Sequence, residues 1–225
     1  MDISTSEYEQ KRHVFEHCDW INGKLAEMYK SDDFETIYFE RNGLHVKRLI
    51  EEAMPLACLG LYFFKPWKNV YLQCLTGNQP YDGVLSVIDH RRVEFKVEVT
   101  TVENDESTMR RQALARDGHV FMTGEIRREG RKIVTQAEMV DMNVEYKRWI
   151  NLAFARYLKK VGRGYDEDTA ILVSFGDFGH IPFSYRAELM KMTEKHIRSE
   201  KPQIYGAYYC YWDDFVVDGI KVTRR

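Results

Sequence analysis

The stretch PYDGVLSVIDHRRVEFKVEVTT, residues 80–101, decides the reading of the fold. It predicts an antiparallel hairpin over 82–100. In the second strand Val93, Phe95, Val97 and Val99 alternate with Glu94, Lys96, Glu98 and Thr100. One face therefore belongs to a core and the other carries three charges in a row. The place of Asp82 depends on the turn. A three-residue loop, Asp89-His90-Arg91, sets Asp82 directly opposite Glu98, on the face of Lys96 and Glu94. A two-residue loop moves it to the other face. Pairing Asp82 with Glu94 needs a turn centred on the apolar Ile88, or a bulge that resets the register.

The flanks of the hairpin set its context. Residues 4–30 read as an amphipathic helix with Tyr8, Val14, Phe15, Trp20 and Leu25 as core contacts. Residues 44–64 read as a helix with Val46, Leu49, Ile50, Ala53, Leu56 and Ala57 on one face, kinked by Pro55. NVYLQCL reads as a strand. After the hairpin come a helix closed by Gly118, a second hairpin turning at Glu129-Gly130, and a helix from an Asp141 cap to Gly162. The buried strand TAILVSFGD, a helix from residue 182 and an aromatic strand or hairpin complete the chain. This order predicts an α/β fold: a mixed central sheet, part antiparallel and part parallel, with helices on both faces. Residues 1–43 are expected to form a helical extension packed on the core, and 44–225 the α/β domain.

Composition narrows the classes of protein. With 225 residues, 44% of them hydrophobic, the chain can bury a core of its own. No apolar run approaches a membrane span, and the polar N-terminus lacks the apolar centre of a signal peptide, so a cytoplasmic location is expected. The net charge of −2 excludes nucleic-acid binding driven by overall charge; affinity for such a ligand has to come from a local patch. The four cysteines are widely separated and form no Cys-x-x-Cys pair, which points to buried free thiols.

Two carboxylates on neighbouring strands repel each other when dehydrated, and a hard divalent cation with oxygen ligands relieves the repulsion. Such an ion polarises a phosphoryl oxygen and activates water, and a nearby lysine stabilises the developing charge. Pro80-Tyr81-Asp82, followed by Glu94-Phe95-Lys96, with Glu51-Glu52 on the preceding helix, resembles the PD-(D/E)xK nuclease superfamily. The ending VEVTT, Val97 to Thr101, also looks like a group of uncharacterised bacterial proteins with this hairpin. In that alignment Glu98 takes the acidic position, and Thr100 stands where a lysine is expected. Lys96, or a helix lysine such as Lys159 or Lys160, then has to substitute. The resemblance covers residues 44–101, and it extends to about 175 in element order alone.

The resemblance implies a restriction-endonuclease-like fold and a nuclease that uses Mg²⁺ or Mn²⁺ to hydrolyse DNA, with RNA as the other substrate. Asp82, Glu98 and Glu52 are the candidate metal ligands, and Lys96 and Glu52 the candidate catalytic residues. Glu52 shares a helix face with Leu49 and Leu56 and should point to the sheet, with Glu51 turned to solvent beside Lys47 and Arg48. Arg110, Arg111, Arg127, Arg128 and Lys132 belong to the best local basic patch, suited to phosphate contacts. The competing reading is a catalytically inactive fold of the same kind that binds protein or nucleic acid, as a homodimer or with a partner subunit. Alternating Glu-Lys-Glu is also what an exposed edge strand carries.

Other motifs carry less. Asp177 in FGDFG has a kinase-like setting, but no glycine-rich loop or catalytic loop of a kinase accompanies it. His13 and His17 lack further metal ligands, and Tyr205, Tyr208, Tyr209, Tyr211 and Trp212 read as core.

Overall fold

The computed structural model describes residues 3–41, 43–121, 123–130, 132–176, 181–212 and 214–222. Its centre is a seven-stranded sheet of order β1-β2-β3-β4-β7-β8-β9. The strands are β1 (Arg12–His13), β2 (Asn69–Cys74), β3 (Gly83–Ile88), β4 (Arg92–Val102), β7 (Thr169–Phe175), β8 (Gly206–Tyr211) and β9 (Val216–Lys221). β5 (Ile126–Glu129) and β6 (Lys132–Thr135) form a separate hairpin. β1 to β4 pair antiparallel, β4, β7 and β8 pair parallel, and β9 returns antiparallel. The mixed α/β sheet expected from the element order is present.

Strand alternation splits the core between the two faces. Phe95, Val97, Val99, Leu172 and Cys210 face one cluster with Leu49, Leu56 and Leu59. Val102, Ile171, Val173, Tyr209 and Tyr211 face the other with Ile150, Ala153, Tyr157 and Leu189. The first face is covered by α2 (Val14–Tyr29) and α5 (Met54–Phe63), the second by α7 (Met142–Val161) and α8 (Phe183–Glu200). β7 is buried along its whole length, as a parallel strand covered on both sides should be.

The N-terminal segment is more broken than one helix. α1 (Thr5–Tyr8) and the short β1 precede α2, and α3 (Phe34–Phe39) follows it. β1 adds an edge to the sheet through Arg12 opposite Leu72, and Tyr8, Val14, Ile21 and Met28 are buried in the same cluster as the hairpin.

The helix over 44–63 is also divided. α4 (Leu44–Arg48) passes into a π-helical turn over Leu49–Ala53 and then into α5, with Pro55 in the first turn of α5. Proline has no N–H to give to the carbonyl four residues back, and the disturbance expected at Pro55 takes the form of this widened turn immediately before it. α6 (Asp105–Asp117) is capped by the Asn104 side chain and closed by Gly118 at φ 72°.

The hairpin register positions the site. Gly83 pairs with Val97, Ser86 with Glu94 and Ile88 with Arg92, so the loop is Asp89-His90-Arg91. β3 begins at Gly83, but β4 continues to Val102 with β7 on its other side. Beyond Val97 the edge of β4 that faces β3 therefore has no strand beside it among the described residues, and the π turn packs there. The start of β3 is tightly seated: a Cβ on Gly83 would come within 2.7 Å of Leu56 Cδ1 and 2.9 Å of the Gln73 carbonyl.

Gly83→Ala should therefore destabilise the fold by about 1–3 kcal/mol, as overpacking does. Gly23, in α2, has nothing within 4 Å of its added Cβ. Gly23→Ala should stabilise by about 0.5–1 kcal/mol, through helix propensity alone. Urea unfolding of both variants checks the pair; the same sign for both would contradict this packing.

Candidate active site

Asp82 stands where β3 would have continued. Its backbone N–H donates to the Val97 carbonyl at 2.9 Å, and its own carbonyl accepts from Leu75 N–H at 2.8 Å. Its Oδ2 accepts the Val99 N–H at 2.8 Å. The carboxylate thus takes over the ladder bond that a longer β3 would have supplied, and this fixes the side chain over the exposed edge of β4. The second carboxylate comes from the register: Glu98 lies beside Val99 on β4, buried at 5% exposure. A buried carboxylate needs a partner. Lys160, near the end of α7, contacts Glu98 Oε1 directly, and Arg163 Nη1 is 3.7 Å from the same oxygen.

The third carboxylate arrives on the π turn. Glu52 Oε2 accepts from the hydroxyl of Tyr8 at 3.1 Å, and Arg48 Nε lies 4.0 Å from its other oxygen. Tyr8 is fully buried and belongs to α1, so the N-terminal segment reaches the site through this hydroxyl. Glu51, expected to face solvent, is also turned inward, with Arg41 Nε and Lys47 Nζ each 3.9 Å from its carboxylate. The π turn is the reason: an extra residue in the turn carries Glu51 and Glu52 to the same side.

Glu51, Glu52, Asp82, Glu98, Arg156 and Lys160 line one cleft of about 370 Å³, together with Thr100, Thr101 and Glu103. Its electrostatics follow from crowding. Burial and the neighbouring Glu98 push Asp82 up to about 6, against the hydrogen bond from Val99. Burial and Asp82 push Glu52 up to about 7, against the Tyr8 hydroxyl and Arg48. Burial, then Glu103, raises Glu51. The donor set suits a hard cation, which takes oxygen ligands. Among the described residues, no three His, Cys, Asp or Glu side chains converge closely enough to hold an ion as they stand. Asp82 is committed to Val99, and Glu98 to Lys160 and Arg163.

The remaining sequence candidates fall elsewhere. Lys96 is on the charged face, two residues from Glu98, but its Nζ is drawn to Asp166 at 3.3 Å and Asp168 at 3.2 Å. Glu94 is at the far end of the hairpin, holding Ser86 Oγ at 2.7 Å and contacting Arg92. Arg110 and Arg111 are buried and do not belong to an exposed patch. Arg110 donates to the Phe121 carbonyl and, at 2.7 Å, to that of Gly124; Arg111 donates to the Phe39 carbonyl at 3.1 Å and pairs with Glu103.

Arg127 is paired with Glu125 and Glu129 at 2.8 and 2.9 Å, and Arg128 donates to Gln112 at 2.8 Å. Lys132 is exposed on the β5–β6 hairpin, and Asp177 lies outside the described residues. His13 caps α2, and His17 is buried with Nε2 3.8 Å from Cys74 Sγ. Tyr208, Tyr209 and Tyr211 are core, and all four cysteines are free, three of them buried.

Nothing in the sequence marks Tyr8, Glu103 or Arg156 as a site residue. Tyr8 carries no local signal, because it is joined to Glu52 across 44 positions of chain. No family of known proteins, no curated protein and no solved structure matches the chain. Among the described residues no helix is long and apolar enough to cross a membrane.

The raised carboxylates give a signed prediction. A carboxylate whose folded value lies above its unfolded one holds its proton longer in the folded chain, so its contribution to stability is largest at low pH and is lost as pH rises through the folded value. For Glu52 that window runs from the ordinary 4.5 to about 7. In EDTA, Glu52→Gln should match wild type near pH 5 and become the more stable of the two by pH 8. Urea unfolding at both pH values checks this; a difference that shrinks with rising pH would contradict it.

Proposed function

We propose that the cleft hydrolyses phosphodiester bonds in DNA with the help of Mg²⁺ or Mn²⁺. The observation that supports this reading is the hairpin register, which sets Asp82 against Glu98 in a cleft shared with Glu52 and Lys160. Asp82, Glu98 and Glu52 would hold the ion. When bound there it supplies Lewis acidity toward a phosphoryl oxygen and a water of lowered pKa.

This chain's own residues have separate tasks. Lys160, released from Glu98, donates its N–H groups to the charge that grows on the phosphoryl oxygens. Glu52, held at the site by the Tyr8 hydroxyl, accepts a proton from the attacking water. The Tyr8 hydroxyl holds the Glu52 carboxylate in place, and Val99 N–H holds that of Asp82. Lys160 thereby fills the part of the lysine that Thr100 cannot play; Lys96, drawn toward Asp166 and Asp168, is turned away from the cleft.

A second reading, a binding module without catalysis, is favoured by one observation: Glu98 is already neutralised by Lys160 and Arg163. Incubation of supercoiled plasmid and single-stranded DNA with Mg²⁺ or Mn²⁺ separates the two. Wild type should cleave, Asp82→Asn should not, and Lys160→Ala should lose about 10²-fold or more in rate, the scale of removing one charge-stabilising donor. Equal cleavage by wild type and Asp82→Asn, or none by wild type with either ion, would overturn the hydrolase reading.

A further inference from the structure

A second cavity, of about 450 Å³, adjoins the acidic cleft; Pro80, Tyr81, Lys96, Arg163, Tyr165 and Asp166 line it. Among the described residues none lines both, but their linings are neighbours in the chain and in space. Tyr81 precedes Asp82 in the chain, and Lys96 precedes Glu98 by two positions on the same face of β4. Arg163 reaches from this cavity to within 3.7 Å of Glu98, while Lys160, one helical turn earlier, lines the cleft.

The chemistry of the lining differs from that of the cleft. The cleft is ringed by carboxylates. The cavity presents two cations, the aromatic ring of Tyr81 and the apolar edge of Pro80; of the carboxylates only Asp166 is in the lining, and Lys96 is ion-paired both to it and to Asp168, so a phosphate there would displace one of these partners. Lys96 Nζ stands 5.5 Å from the Tyr81 ring centre, so cation and ring are held as one unit. The side chain of Arg163 is 55% exposed, which leaves guanidinium donors available to a ligand. The Tyr165 hydroxyl is buried beside Arg163 and Glu98. The volume falls within the range of small-molecule sites, and a cation pair beside an aromatic wall suits a phosphate joined to a flat ring.

We propose that this cavity binds the nucleotide next to the scissile phosphate, with its own phosphate on Lys96 and Arg163 and its base against Tyr81 and Pro80. The proposal deepens the hydrolase reading and rests on it, since only hydrolysis in the cleft makes the neighbouring phosphate the scissile one. It also narrows the substrate. A base seated in a cavity beside the sheet is not paired with a complementary strand, so the preferred ligand is single-stranded or frayed nucleic acid. Lys96 then has a use for which its sequence position beside Glu98 suits it: it grips the strand next to the reacting centre instead of taking part in the chemistry.

The test is binding of a short fluorescein-labelled oligothymidylate in EDTA, followed by polarisation. Wild type should bind the single strand at least about fivefold more tightly than a blunt duplex of the same length. Tyr81→Ala should weaken single-strand binding at least about fivefold, the scale of one base stacked on one ring. Tyr81→Phe should retain it, which separates loss of the ring from loss of the fold. Arg163→Gln should weaken binding and flatten its dependence on salt. Equal binding by wild type and Tyr81→Ala, or a duplex bound as tightly as the single strand, would overturn the proposal.

Cleavage assays keep the two readings apart. If the oligonucleotide binds as expected and no divalent ion brings about cleavage, the nucleotide site stands and the hydrolase reading falls. If wild type cleaves and Tyr81→Ala cleaves with an unchanged KM, the hydrolase reading stands and the nucleotide site falls.

Discussion

The site depends on one hydrogen bond, from Val99 N–H to the carboxylate of Asp82. β4 runs on from Glu98 to Val102 beyond its pairing with β3, because β7 supports it from the other side over that length. A strand edge left without a neighbour needs its N–H groups satisfied. Asp82 meets that need with a side chain instead of a backbone carbonyl. The result is a carboxylate pinned at the mouth of a cleft and held close to Glu98, at a cost in electrostatic repulsion. The fold offsets this repulsion by placing Lys160 and Arg163 against Glu98 and the Tyr8 hydroxyl against Glu52.

That arrangement joins stability to chemistry. The residues that crowd the cleft are buried enough to shift each other's proton affinity, and they sit on elements held by packing: the start of β3 under Leu56, the middle of the sheet, and a π turn ahead of Pro55. Raised carboxylates near neutrality are what a cation or a proton transfer can exploit. They are also a strain on the folded chain at the same pH, and the cleft is the place in the molecule where these two consequences meet.

Much of the fold is legible in the sequence because its signals are local. The alternation of Val93, Phe95, Val97 and Val99, the Gly118 and Asp141 caps and the unbroken apolar run of β7 each require only neighbouring residues. The register of Asp82 against Glu98 is also legible, since it follows from the length of one loop. Glu51 escapes a helical-face count because that count assumes an even period, and the π turn breaks it. Arg110 and Arg111 resemble surface cations in sequence, because charge alone does not tell an exposed guanidinium from one that holds backbone carbonyls in the interior. The reach of Tyr8 to Glu52 has no local signal at all. Lys160 is one of several lysines open to the sequence reading, and the packing of α7 on β4 singles it out.

If Asp82, Glu98 and Glu52 serve together as a divalent-cation site, the metal-free protein should bind Mn²⁺ at that place and nowhere stronger. Titration with Mn²⁺ near pH 7.5, with free ion followed by electron paramagnetic resonance, measures this most directly. Wild type should take up the ion, and Asp82→Asn should lose most of that uptake while remaining folded. Uptake by neither protein, or equal uptake by both, would contradict the cation site.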